Sequence, residues 1–345
     1  MACSTTERVG AAMKVKNAVE KLGARESVTA TARIDATPDQ IYTYLQQGKG
    51  VGKGKKAREN AQLLADLELA VSVGADKPLR DLTDTDRADS ATAVNFGGVD
   101  VFSFKSVDRK LYVQLSLEAL AKEINGTGLA LKDAQELGRL TKELPSSLAA
   151  AQSALSGKWV RINPREFGEF SEVLGGEAGQ HAERLAEATA VLQSAPVQQR
   201  IVTAVQESLG KHATFTSAGT KEGAEHVTLT LPARDAGKVL AAALRPVQRQ
   251  IGDLDLSVLE KAPNKKVVAD LAIRHDTLST LTVDLGQFDE GRAGQPAKLP
   301  LKLTFAPGEA LAVAAPPVAE KLNPQDLLAA LTYAAMRSPE LSKLL

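Results

Sequence analysis

Alternation of apolar and polar residues with a period of two constrains this chain more than any other feature. Val227-Thr228-Leu229-Thr230-Leu231, Leu281-Thr282-Val283-Asp284-Leu285 and Leu301-Lys302-Leu303-Thr304-Phe305 each put an apolar side chain at every second position. A strand repeats every two residues, so each segment has one apolar and one polar face. Parallel sheets covered on both sides read instead as unbroken apolar runs. The pattern predicts antiparallel strands in a sheet that is wet on one side.

Reading the rest of the chain this way predicts strands over 27–35, 67–73, 91–96, 99–106, 110–116, 158–163, 211–217, 226–231, 266–274, 277–288, 299–305 and 310–314. Turn residues separate several of them, among them Gly97-Gly98 and Val107-Asp108-Arg109. In 110–116, Leu111, Val113 and Leu115 share one face, and Tyr112, Gln114 and Ser116 the other.

Helical spacing predicts helices over 7–22, 117–124, 131–144, 146–155, 180–193, 197–209 and 232–244. In the first, Val9, Ala12, Met13, Val15, Val19 and Leu22 are read as the apolar face, and Gly23 as the stop. Thr37-Pro38-Asp39, Pro164 and Asn323-Pro324 open three more, the last a helical tail to Leu345. A strand, a short stop and a helix recur at 111–124, 159–174 and 227–244. A helix leaving a sheet this way folds back on its apolar face. The predicted class is α+β: a curved antiparallel sheet with helices packed in its hollow.

Composition bears on function mainly by exclusion. Lys+Arg and Asp+Glu balance at 42 each, so no global field draws in nucleic acid. One cysteine in 345 residues permits neither an internal disulfide nor a thiolate-rich metal site. His181, His212, His226 and His275 form no metal-binding pair. Asp81, Asp84, Asp86 and Asp89 lack the glycine and glutamate spacing of a calcium loop. Gly48 to Lys56 is rich in glycine and lysine but fails the phosphate-loop spacing, and reads as a solvated basic loop. No G-x-S-x-G elbow occurs. No catalysis, cofactor or metal is expected.

Cys3 stands out by position. It follows the small Ala2, and Ser4-Thr5-Thr6 come after it. The arrangement looks like the mature start of a bacterial lipoprotein, with Met1-Ala2 where a signal peptide was removed. The plainer alternative is a chance cysteine in a frayed terminus. No apolar run approaches the roughly 20 residues that span a bilayer, so membrane attachment would come through lipid on Cys3.

The last third carries a resemblance. Gly223-Ala224-Glu225-His226-Val227-Thr228-Leu229-Thr230-Leu231-Pro232-Ala233 is a strand running into a helix. Ala269-Asp270-Leu271-Ala272-Ile273-Arg274-His275-Asp276-Thr277-Leu278 is a hairpin, Leu281–Leu285 and Leu299–Phe305 follow, and Pro316-Pro317 ends the sheet. Upstream, Asp108-Arg109-Lys110-Leu111-Tyr112-Val113 and Gly157-Lys158-Trp159-Val160-Arg161-Ile162 complete the order. This succession, over roughly 27–317, resembles the LppX/LprG-type lipoproteins of actinobacteria, within the LolA/LolB-like fold.

The resemblance implies an open, strongly curved antiparallel half-barrel with helices on the concave face. It also implies a lipidated N-terminal cysteine and carriage of lipid in an apolar cavity. The chain then divides into a tether and short helix over 1–22, one domain over 23–317 with a helical insertion near 117–156, and a helical tail over 318–345. Excess length over the family falls in a loop at 47–66, the insertion and the tail.

Candidates for the apolar wall are Val113, Leu115, Trp159, Val227, Leu229, Leu271, Ile273, Leu281, Val283, Leu301 and Leu303. Two functions follow. One is a non-enzymatic lipoprotein on the extracellular face of the cell membrane, binding a lipid or other apolar small molecule. The other is an envelope module of the same fold with a filled core, acting on a protein partner that the sequence does not name.

Overall fold

The structure, a computed structural model, describes residues 3–47, 55–83, 86, 88–123, 131–174, 212–251, 256–262, 264–288, 298–308, 311 and 313–338. The predicted helices at 180–193 and 197–209 lie outside these residues. The twelve described strands make an unclosed sheet, antiparallel except for one pair. This is the α+β open-sheet class that the alternation predicts. The chain divides into two compact units, of residues 1–65, 74–88 and 187–309, and of residues 66–73, 89–186 and 310–345.

In the first unit the strands are β1 (Ser27–Ile34), β7 (Thr214–Lys221), β8 (Ala224–Pro232), β9 (Lys266–Arg274), β10 (Thr277–Asp284) and β11 (Pro300–Pro307), in the order β1-β11-β10-β9-β8-β7. The register aligns Ala32, Leu303, Leu281, Leu271 and Val227 in one row. Ile34, Leu301, Val283, Ala269 and Leu229 form the next row of the same face. Between these rows, on the other face, run Arg33, Lys302, Thr282, Asp270 and Thr228. There His226 Nδ1 lies 2.8 Å from Asp270 Oδ2. This unit has one dry face and one wet face, as the period-2 pattern requires.

Helix α1 (Cys3–Gly23) covers part of the dry face. Ala11 and Ala18 are buried in one cluster with Val227, Leu229, Ala269, Leu271, Ile273 and Leu278, and Val15 packs against it. Lys14 pairs with Glu225 at 2.6 Å, and Lys21 donates to the His275 carbonyl at 2.8 Å. The predicted apolar face of this helix is corrected. Its buried stripe is Ala11, Val15, Ala18 and Leu22, while Val9, Met13 and Val19 are exposed. Alanine lets the helix approach the sheet closely, and a larger side chain in that stripe would hold it off.

A second correction concerns 47–66. Lys55–Asp66 forms helix α3, which packs Ala61 against Ile41 of α2 (Pro38–Gln47) and Leu299. Helix α2 opens with a capping box: Thr37 N–H donates to Gln40 Oε1 and Gln40 N–H to Thr37 Oγ1. Helix α8 is Ala233–Ile251, which follows directly on β8.

In the second unit the strands are β2 (Leu67–Gly74), β3 (Asp89–Phe96), β4 (Val99–Val107), β5 (Lys110–Leu115), β6 (Val160–Ile162) and β12 (Glu320–Lys321). Their order is β12-β6-β5-β4-β3-β2, and β12 runs parallel to β6. The helices are α4 (Leu117–Glu123), α5 (Leu131–Thr141), α6 (Ala149–Leu155), α7 (Pro164–Leu174) and α9 (Pro324–Arg337). One cluster buries Leu144, Ala151, Val160, Leu322 and Ala330, with Val113, Ile162, Phe167 and Leu327 packed around it. Another joins Leu137 and Leu140 of α5 to Ala334 of α9. The C-terminal helix is thus part of this unit's core.

The other face of this unit departs from the expectation of a wet side. Ala91 and Ala93 are only 1% and 2% exposed, and Val101, Ser103, Val107 and Tyr112 are buried too. The register puts Ala91, Lys105, Tyr112 and Arg161 in one row of this face. The segment around 311–319, predicted in part as a strand over 310–314, is not a strand in its described residues. The Leu311 N–H donates to Ser72 Oγ at 3.1 Å, and Lys105 Nζ donates to the Ala314 carbonyl at 3.3 Å. Side-chain acceptors and donors replace a ladder, so the segment crosses this face as a strap. Small residues beneath it leave room for a chain to lie close.

Smaller differences have local causes. The predicted strand 211–217 is β7 at 214–221, because Glu222-Gly223 turns tightly with positive φ of 50° and 74°. The strand predicted over 277–288 stops at Asp284, whose Oδ1 accepts the N–H groups of Gly286 and Leu299 and starts a 3₁₀ turn over 285–288. Hairpin turns at Gly97-Gly98, Asp108-Arg109 and His275-Asp276 also hold both central residues at positive φ.

Candidate functional site

The eleven wall candidates fall into three groups. Val227, Leu229, Leu271, Ile273, Leu281, Val283, Leu301 and Leu303 stand on the dry face of the first unit. There α1 packs against Val227, Leu229, Leu271 and Ile273, with Leu281 and Val283 at the border of the same cluster. Leu301 and Leu303 are half-buried on the neighbouring strand. Val113 and Leu115 stand on the helix-covered face of the second unit, where β6 supplies Val160 and Ile162. Trp159 is half-buried on that unit's opposite face, with the Lys105 ammonium 5.1 Å from its ring centroid.

On the same face as Val113 and Leu115 the second unit holds an apolar strip whose described residues stay partly exposed. Register aligns Val94 with Phe102 and Leu115, and Thr92 with Phe104 and Val113. Phe102 and Phe104 have ring centroids 6.4 Å apart. Ser72 faces the strap, so Leu69, Val71 and Val73, an odd number of residues away, face the same side as the phenylalanines. Phe102 is 37% and Leu69 39% exposed, while Val71, Val94, Phe104, Val113 and Leu115 are half-buried. Val113 joins the packed cluster under α6, α7 and α9; Leu69, Val94, Phe102, Phe104 and Leu115 lie outside the four clusters described above.

A cleft of about 330 Å³ with a mixed polar and apolar lining adjoins the strip where β5 runs into α4. Ser116, Leu117, Gln135, Arg139, Leu155 and Ser156 are among its lining residues. Leu155 also packs with Val113's cluster, which puts the cleft on the strip's side of the sheet. The Arg139 guanidinium bonds Glu136 at 2.8 Å and Glu143 at 2.8 Å. The hydrogen bond from Arg139 holds the Glu136 carboxyl below its ordinary range, and Glu136 in turn raises the guanidinium. The cleft's strongest cation is therefore already neutralised within α5 and the residues after it.

Sequence reasoning missed Leu69, Val94, Phe102 and Phe104. Their signal was present as Leu67-Leu69-Val71-Val73 and as Phe102-Ser103-Phe104. Alternation could not rank them, because Val101 and Val107 on the opposite face of β4 are equally apolar.

Cys3 is the first residue of α1, which runs unbroken from it to the sheet. Among the described residues no helix is long and apolar enough to cross a membrane, and no three His, Cys, Asp or Glu side chains stand together to hold a metal.

No family model and no curated protein matches the chain. Solved structures do. The chain is similar to lipoprotein LppX of Mycobacterium tuberculosis, at 11% identity and a TM-score of 0.36, over 89% of this chain and 99% of that one. It is similar also to LprF of Mycobacterium bovis, at 11% identity and a TM-score of 0.35, over 89% and 97%. These are proteins of the kind that the sequence resemblance names. The fold assignment rests on the strand order and register given above.

Proposed function

We propose that this protein is a non-enzymatic, cell-surface lipoprotein that holds a lipid or another apolar molecule against the open strip of its second unit. Lipid on Cys3 would tether it to the membrane. The carrying observation is the exposure of Phe102 and Leu69 among half-buried Val71, Val94, Phe104, Val113 and Leu115. An acyl chain laid on such a surface gains roughly 0.8 kcal/mol for each CH₂ taken out of water. The part of the first unit's wall at Val227, Leu229, Leu271 and Ile273 is the same kind of surface with α1 packed on it.

The test is lipid extraction and mass spectrometry of the purified protein, beside titration with a fluorescent fatty-acid probe. Phe102→Asp is expected to abolish probe binding and cost less stability than a charge placed in either closed core, since the side chain is already partly in water. A protein that carries no lipid and never binds the probe has a filled core, and the envelope interaction module becomes the better reading. The tether is tested separately. Expressed behind a lipoprotein signal, the chain should take up labelled palmitate and partition to membrane, and Cys3→Ala should release it.

A further inference from the structure

The cleft beside the strip is electrically balanced, and its two unspent charges have opposite signs. Arg139 is committed to Glu136 and Glu143, and Glu143 also takes Arg337 at 3.1 Å. Those guanidinium and carboxylate groups neutralise one another. The remaining charged side chains of the lining are Glu118, in the first turn of α4, and Lys142, just past α5. Both are exposed. Among the described residues neither side chain pairs with the other or with a third group.

A lone charge on a convex surface is satisfied by water. Here two converge on one concavity with Ser116, Gln135 and Ser156, whose hydroxyl and amide groups both donate and accept. Concave walls of low dielectric focus the field of such charges on whatever enters. The sign pattern then selects among ligands. An anion that reaches Lys142 also meets Glu118, and a cation that reaches Glu118 also meets Lys142. A group carrying both charges satisfies the two at once.

Cleft and strip meet at Leu115. That residue ends β5 in the row of Phe102 and Val94, and Ser116 follows it into the lining. The wall at Ser156-Gly157 is held close to this junction. Gly157 has a φ of 72°, and a Cβ there would lie 3.6 Å from the Leu115 carbonyl oxygen. Gln114 donates to the Gly157 carbonyl at 2.8 Å.

We propose that the cleft is a head-group site for a zwitterionic amphiphile of the phosphoethanolamine kind. Its ammonium pairs with Glu118 and its phosphate with Lys142, and its chain runs along Leu115, Phe102 and Val94. The chain's place rests on the strip reading given above, whereas the choice of head does not.

The full chain is titrated with glycerophosphoethanolamine, a head without a chain, while the amide resonances of Ser116, Ser156 and Gly157 are followed. These are expected to shift. Glu118→Gln with Lys142→Gln should lose the shift and, both side chains being exposed, keep the parent's melting temperature. A second arm displaces the fluorescent fatty-acid probe with chain-matched lysophosphatidylethanolamine, lysophosphatidic acid and an alkyl glucoside. The zwitterion should act at about five- to tenfold lower concentration than either of the others. The double variant should bring all three to the same concentration. A preference in displacement supports the site even where the free head is too weak to move the resonances. If the probe never binds while the resonances move, the strip reading fails and the head site stands. Equal displacement by all three heads, or unmoved resonances where no probe binds, overturns the proposal.

Discussion

The first unit buries one face of its sheet and leaves the other to water, whereas the second buries most of both faces and leaves an apolar strip open. In the first, Val227 and Leu271 lie under Ala11 and Ala18 of α1, and the reverse side carries Asp270, Thr282 and Lys302. In the second, Ala91, Ala93 and Ser103 lie on the strap side, and Phe102 and Leu69 remain partly in water on the other. The difference follows from side-chain size. Alanines on α1 let a helix sit down on branched strand residues and close the first unit. Alanines and serines on β2, β3 and β4 instead admit a strap on the reverse face, and the bulky phenylalanines point to the other side, where Phe102 stays partly exposed.

The sharpest attack on this contrast is truncation. Leu271→Ala removes fully packed methyl groups and should destabilise by about 2–5 kcal/mol in urea unfolding. Phe102→Ala should cost less, because more than a third of the residue is already exposed. Equal costs would mean that the strip is as closed as the first unit's core.

Enlargement probes the border of the closed cluster. Val283 is half-buried beside the residues under α1. Val283→Trp should destabilise by about 1–3 kcal/mol through overpacking if α1 and its neighbours fill that space. A variant that keeps its stability would show room between α1 and β10, and would extend the ligand surface into the first unit.

The smallest expected effect separates surface electrostatics from either core. Hydrogen bonds from Lys77, and then from the Thr83 hydroxyl and N–H, hold the Asp86 carboxyl at about 2, below its ordinary 3.8. A carboxylate lowered on folding stabilises the local structure above its ordinary value and loses that contribution as pH falls through about 2. The Thr83 amide resonance should therefore shift in a transition centred near pH 2, with little change in either core. A Thr83 shift centred near 4 would mean that the Lys77 and Thr83 contacts do not hold in solution.

Much of the strand map was legible from alternation alone. β1, β8, β9 and β11 appear within a few residues of their predicted limits, because each has one dry and one wet face. The α2 start was legible from Thr37-Pro38, and the tight turns from Gly97-Gly98 and the hairpin at His275-Asp276. α3 was not, since its buried positions are Ala57 and Ala61, which carry little periodic signal. β12 was not, since two residues, Glu320 and Lys321, show no period at all. The wall was half legible. Its members in the first unit lie on one face as read, but nothing in Val227 or Leu271 says whether a helix or a ligand covers them.

The sequence by itself determined the class of fold, because a two-residue period leaves no freedom over which side chains share a face of a strand. It also determined where most strands turn and where helices begin, through glycine, proline and capping residues acting on their immediate neighbours. Only the tertiary structure decided which apolar faces are closed. Coverage depends on contacts between segments hundreds of residues apart, such as Lys14 with Glu225 and Ser72 with Leu311. It depends too on the small side chains that let those segments approach. Local propensity carries no record of either, so α1's inward stripe of alanines and the open strip at Phe102 emerge only from the packed chain.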